Sequence, residues 1–248
     1  MAAVAIPTSS VPPRSDFFPD SPDALSDIRG RYRVSEELID LGSRSVTMFR
    51  VEDTNALLDT IDPVTFAVDE RLPYWAELWP SSLELARYCL SEATLYNKNV
   101  LELGCGLGLA GIAAAAAGAR VIFTDYEPDA LRFARLNAWE NLDADVRRSG
   151  IEFRLLDWRS VGNSDRVDMI IGADVAYERA QFSPLLGFVR RFLKDNGCAV
   201  FTDPDRSTGM SFFALAEREG FEVTLTSRPL RYKGKTSTIL LGLLRLPQ

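Results

Sequence analysis

Val100 to Gly111 reads V-L-E-L-G-C-G-L-G-L-A-G, and the next apolar run closes on Asp125. An apolar strand that carries a carboxylate and passes through closely spaced glycines into a helix lets backbone N–H groups approach a nucleoside-bearing ligand. Gly104, Gly106 and Gly108 fall within five residues, a larger loss of chain entropy on folding than a simple strand-to-helix turn requires. The stretch predicts an α/β fold with a ligand crevice at its first core strand.

Working outward, strands are expected at 99–103, 120–124, 152–156, 167–173 and 198–202, with helices at 107–117, 128–141, 182–194 and 207–218. Strands separated by helical segments imply right-handed crossovers and a parallel sheet covered on both faces. The last two runs, 222–227 and 236–246, are separated by a connection too short for a crossover, so they must pair antiparallel. Upstream, Ser81 is expected to cap a helix whose apolar face carries Leu83, Leu85, Ala86 and Leu90. Earlier still, 34–41 and 45–51 look strand-like around Gly42-Ser43, and Asp53 should cap a short helix over 53–60. The organisation expected is a flexible tail over 1–22, which holds five prolines, an elaboration with leading helix over 23–98, and a core over 99–248.

Composition narrows the chemistry. At 248 residues, 46% hydrophobic and 25% charged, the chain suits one large soluble domain. No run approaches the ~20 apolar residues that span a bilayer, and the first residues lack the basic start of a secretory signal. Cys89, Cys105 and Cys198 show no paired spacing, so a reducing cytoplasmic location is expected. A net charge of -7 weighs against nucleic acid as partner. There is no histidine, which removes the commonest general base and, with unclustered cysteines, makes a metal site unexpected. Catalysis must rest on carboxylates, tyrosine, lysine or positioning.

The glycine pattern Gly106-x-Gly108-x-x-Gly111 also satisfies the dinucleotide fingerprint, and Asp125 stands near the ~20-residue offset of a ribose-binding acid. Glu102 separates the two readings. A carboxylate there suits a sulfonium or ammonium group and repels a pyrophosphate. E-L-G-C-G-L-G resembles motif I of the class I S-adenosylmethionine-dependent methyltransferases, which share the antiparallel C-terminal hairpin. Three further segments, P-Y-W-A-E-L-W-P-S (73–81), L-L-D-W (155–158) and A-D-V-A-Y (173–177), extend the likeness over residues 70–245. Together they resemble the seven-strand protein-lysine methyltransferases of methyltransferase family 16. The wording of 73–80 is similar to the lysine methyltransferases of the electron-transfer flavoprotein β subunit.

The resemblance implies a Rossmann-like, doubly wound sheet of seven strands, mostly parallel. It implies S-adenosyl-L-methionine as cofactor, with Trp79 beside it, Glu102 at its methionine end and Gly104, Cys105 and Gly106 along its amino-acid and ribose part. Asp125 would take both ribose hydroxyls, with Tyr126 next to it. Asp157 would take the adenine amino group, Trp158 would cover the base and Ala173 would underlie the methionine moiety. Each has a plainer competitor: the tryptophans as core anchors, Asp157 as a turn cap, Tyr126 as strand-end packing. Asp174 and Tyr177 are awkward as structure alone, and are expected to hold the incoming amine and shape its pocket. The substrate expected is a protein lysine met by a monomeric enzyme, with a small-molecule amine as runner-up. A nicotinamide-dependent oxidoreductase and a non-catalytic binding module are the rival classes. The basic run 228–235 reads as a solvated hairpin loop in preference to a steering patch, and Trp139 reads as packing.

Overall fold

The computed structural model describes residues 23–58, 72–91, 93–160 and 165–247. The tail expected over 1–22 and the end of the helix expected to reach residue 60 lie outside them. Strands β1 (Val34–Asp40) and β2 (Ser45–Val51) form an antiparallel hairpin that turns at Gly42, φ +92°. It is preceded by α1 (Asp23–Arg31) and followed by α2 (Asn55–Leu58), where Asp53 accepts hydrogen bonds from the amides of Asn55 and Ala56.

Strands β3 (Asn99–Glu102), β4 (Arg120–Asp125), β5 (Ile151–Leu155), β6 (Val167–Ala173), β7 (Leu193–Asp203), β8 (Glu222–Tyr232) and β9 (Lys235–Arg245) build a seven-stranded sheet in the order β5-β4-β3-β6-β7-β9-β8. The first five run parallel, while β9 pairs antiparallel with both β7 and β8. From β3 the sheet grows one way through β4 and the other through β6. The reversal leaves a crevice at the strands' carboxyl ends.

Each face has its own core. Helices α3 (Pro80–Ser91), α4 (Leu109–Ala116) and α5 (Pro128–Asn141) cover one side together with the β1–β2 hairpin. A short α6 (Ala144–Ser149) follows α5, and α7 (Phe182–Phe192) and α8 (Ser207–Arg218) cover the other side, where Phe182, Phe188, Phe192, Phe201, Phe212 and Phe213 interlock. Burial on both faces explains why β6 reads as an apolar run with little alternation.

Three local expectations are corrected. Strand β7 begins at Leu193, not 198, because Leu193 pairs with Val167 and Cys198 with Met169, the residues between them bulging. Ser81 does not cap α3: Pro80 takes the first helical position, and Ser81 is wholly buried with its hydroxyl turned to Asp174. The basic run near 230 is strand for most of its length, with Arg228 on Glu84 and Lys233 on Glu37. Among the described residues no helix is long and apolar enough to cross a membrane.

Candidate active site

The crevice holds a cavity lined by the segment before α3, the loop after β3, and the ends of β4 and β6. In the β3–α4 loop, Gly104, Gly106 and Gly108 all have positive φ, at +58°, +50° and +85°. A Cβ on Gly104 would sit 2.9 Å from Val175 Cγ1, with Trp158 beyond it, and one on Gly106 would meet the Trp75 carbonyl at 3.3 Å. Backbone is thereby laid bare on the cavity wall.

Glu102 lines this wall almost wholly buried, with Oε2 accepting the Gly111 amide at 3.1 Å. Burial pushes its carboxyl up to about 8, partly offset by that amide. Asp125 ends β4. Its Oδ2 accepts the Gly106 amide and its Oδ1 the Glu127 amide, both at 2.9 Å, and burial raises it to about 6. The Tyr126 amide adds a third backbone bond, and of the roughly four acceptor sites of a carboxylate this leaves capacity for a ligand hydroxyl. Cys105 is buried beside both acids, and its thiol is pushed well up by that burial first and by their charge second.

On the opposite wall, β6 delivers Ala173, Asp174, Val175 and Tyr177. Asp174 adopts φ +59°, a left-handed conformation that aspartate tolerates better than most residues. Its amide donates to the Thr202 carbonyl at 2.8 Å, its Oδ2 accepts from Ser81 Oγ at 3.0 Å, and its Oδ1 accepts from Arg206. Burial raises its carboxyl while Arg206 and Ser81 pull it back. At the cavity mouth Tyr74 meets Tyr177 and Trp79 edge-on, with ring centroids at 5.5 and 6.0 Å, and Trp79 Nε1 donates to the Tyr74 carbonyl. Tyr126 bonds to Tyr177.

Trp79, Glu102, Gly104, Cys105, Gly106, Asp125, Tyr126, Trp158, Ala173, Asp174 and Tyr177 therefore converge on one cavity. Asp157 stands apart. Both its oxygens take the Arg159 guanidinium, and its Oδ1 also caps the Arg159 amide, the geometry of a turn. Trp75 packs on Tyr32 and Phe133, and Trp139 lies under Arg147. Sequence reasoning gave no role in the site to Tyr74, Asp203 or Arg206, and took Ser81 for a helix cap only. Their only shared signal is a position at strand or helix ends around the crevice.

Among the described residues the lining carries Glu77, Glu102, Asp125, Glu127 and Asp174 and no lysine or arginine. Such a donor set fits a nucleoside ligand with a cationic amino-acid end, and repels a pyrophosphate.

A family model described as lysine methyltransferase matches residues 69–219. The protein N-lysine methyltransferase METTL21A of Xenopus tropicalis is 39% identical over 113 residues, covering 45% of this chain and 52% of that protein. The electron transfer flavoprotein beta subunit lysine methyltransferase of Danio rerio is 31% identical over 138 residues, covering 54% of this chain and 51% of that protein. The chain thus spans about half the length of the curated relatives it matches. In fold it is like the N-methyltransferase NodS of Bradyrhizobium japonicum WM9, solved with S-adenosyl-L-homocysteine, with a TM-score of 0.54 at 18% identity over 79% of this chain and 98% of that one.

Proposed function

This chain belongs to the lysine methyltransferase family, and from that premise we propose that it methylates the side-chain nitrogen of a protein lysine. When bound, S-adenosyl-L-methionine supplies an electrophilic methyl group on a sulfonium. The observation that carries the reading is the cavity itself, where the described lining offers bared glycine backbone, five carboxylates and no cation.

Glu102 would hold the ammonium end of the cofactor, since a buried carboxyl that is costly to ionise alone ionises readily beside a cation. The Gly104-Cys105-Gly106 backbone and the lone pairs of Asp125 would hold the amino-acid and ribose parts. Trp79, Tyr126, Trp158 and Ala173 would close around the rest, while Asp157, forked by Arg159, stays with its turn.

Asp174 would accept a hydrogen bond from the incoming amine and stabilise positive charge as it develops on nitrogen. Tyr177 and Tyr74 wall its approach. Alignment of nucleophile and methyl supplies most of the acceleration, so a chain without histidine lacks nothing essential. We place the enzyme in the cytoplasm as a monomer without nucleic-acid partners. Three free thiols and the net charge of -7 support that setting.

The test is to incubate the protein with methyl-labelled cofactor and a cell lysate. Label is expected in protein, on lysine after hydrolysis. Label confined to the small-molecule fraction would replace the protein substrate with a metabolite amine, and no transfer to either would leave a binding module.

A further inference from the structure

Behind the Asp174 carboxylate lies a charge cluster outside the residues that line the cavity. Arg206, on the loop between β7 and α8, donates through one guanidinium nitrogen to Asp174 Oδ1 and, at 2.7 Å, to Asp203 Oδ2. Its Nε reaches the same Asp203 oxygen at 3.3 Å, and its own amide donates to Asp203 Oδ1 at 2.8 Å. Asp203 is 2% exposed. Gly209 makes room for it, since a Cβ there would lie 2.4 Å from the Asp203 carboxyl carbon. From the other side the Ser81 hydroxyl holds Asp174 Oδ2, and the Ser81 carbonyl accepts from Thr202 Oγ1 at 2.9 Å. Helix α3 and strands β6 and β7 are tied together at the point where Asp174 takes its left-handed turn.

The charges do not balance. The charged groups that face Asp174 are Arg206 and Asp203, with only the Ser81 hydroxyl offered by α3. Two carboxylates share one guanidinium, and the described residues lining the cavity in front contribute no cation. A net negative charge held at low dielectric is unfavourable as scaffolding. It becomes favourable when a cation enters the cavity, and methyl transfer to nitrogen creates one there.

We infer that Arg206 is a positioning residue: from the loop after β7 it fixes the orientation of the Asp174 carboxylate and keeps it anionic for the acceptor nitrogen. This rests on the methyl-transfer reading above. Arg206 is not among the described residues that line the cavity, and its side chain is 37% exposed. A lysine at this position would place a point charge without the second nitrogen that anchors the guanidinium on Asp203.

The test compares the full-length protein with Arg206→Gln, Arg206→Lys and Ser81→Ala. In the ligand-free protein, carboxyl-carbon NMR follows protonation of Asp174. In Arg206→Gln its proton affinity should rise about tenfold or more, with Arg206→Lys intermediate and Ser81→Ala moved less in the same direction. In turnover, the acidic limb of kcat should move to higher pH in the same order. At neutral pH, Arg206→Gln should lose roughly tenfold to a hundredfold in kcat, with S-adenosyl-L-homocysteine affinity within about threefold of the original. The inference is overturned if the Asp174 midpoint and the acidic limb stay in place in both Arg206 variants, or if cofactor affinity falls as far as kcat. The NMR midpoint needs no turnover, so it judges Arg206 separately from the lysate experiment that judges the substrate.

Discussion

Asp174 joins three constraints in one residue: positive φ, near-complete burial and two donors on its carboxylate. Alanine there would remove the charge and also strain the backbone, since a side chain without a local hydrogen bond disfavours φ +59°. Asparagine is the cleaner probe, as it tolerates the left-handed region and keeps a carbonyl to accept from Arg206 or Ser81. Asp174→Asn should bind cofactor normally in calorimetry and lose on the order of a hundredfold in kcat, the scale of removing one group that stabilises transition-state charge. Unaltered turnover would take Asp174 out of the reaction. The type and spacing of Asp174 and Tyr177 marked them in the sequence. Arg206 was not marked, because Asp203-Pro204-Asp205-Arg206 reads as an ordinary polar loop until folding sets it against Asp174.

Elements were legible to the extent that their signal was periodic. The alternation of strands and helices, the crossover handedness and the short connection before β9 led to the sheet that the chain forms. The docking of the β1–β2 hairpin was not legible, because it depends on two polar residues that look like a solvated helix face. Asn137 and Asn141 stand four apart on α5, and they meet Phe49 and Thr47, two apart on β2. Four helical residues rise about 6 Å and two strand residues about 6.6 Å, so the helix offers its amides at strand spacing. Asn137 is fully buried and serves the Phe49 amide, the Phe49 carbonyl and the Leu107 carbonyl of the glycine loop. Asn137→Ala would orphan all three, at about 1–3 kcal/mol apiece before any relaxation. We expect at least about 3 kcal/mol lost in denaturant unfolding, and a loss below about 1 kcal/mol would show that the Asn137 bonds are not what docks the hairpin.

At the scale of the molecule, the segment before α3, the glycine loop and the ends of β4 and β6 enclose a cavity whose own acids oppose folding as they ionise. Glu102 has an ordinary carboxyl value of 4.5 that burial moves to about 8 in the folded protein, and Asp125 moves the same way, to about 6. A folded state that holds a proton more tightly than the unfolded state loses stability as pH rises between those two values. The Glu102 contribution is therefore fully present below about 4.5 and is lost as pH climbs through about 8. Lowered groups such as Glu37, held by Lys233 and Tyr232, act oppositely and at lower pH, so the slope due to Glu102 must be isolated by substitution. Glu102→Gln retains an oxygen for the Gly111 amide and removes the titration. The ligand-free variant should match the parent in Tm near pH 4.5 and exceed it progressively up to pH 8. It should also gain less Tm from S-adenosyl-L-methionine, because the amide offers the cofactor's ammonium no charge. Parallel Tm curves for the two proteins across that range would mean that Glu102 is already ionised in the empty cavity, with a cation of the chain itself beside it.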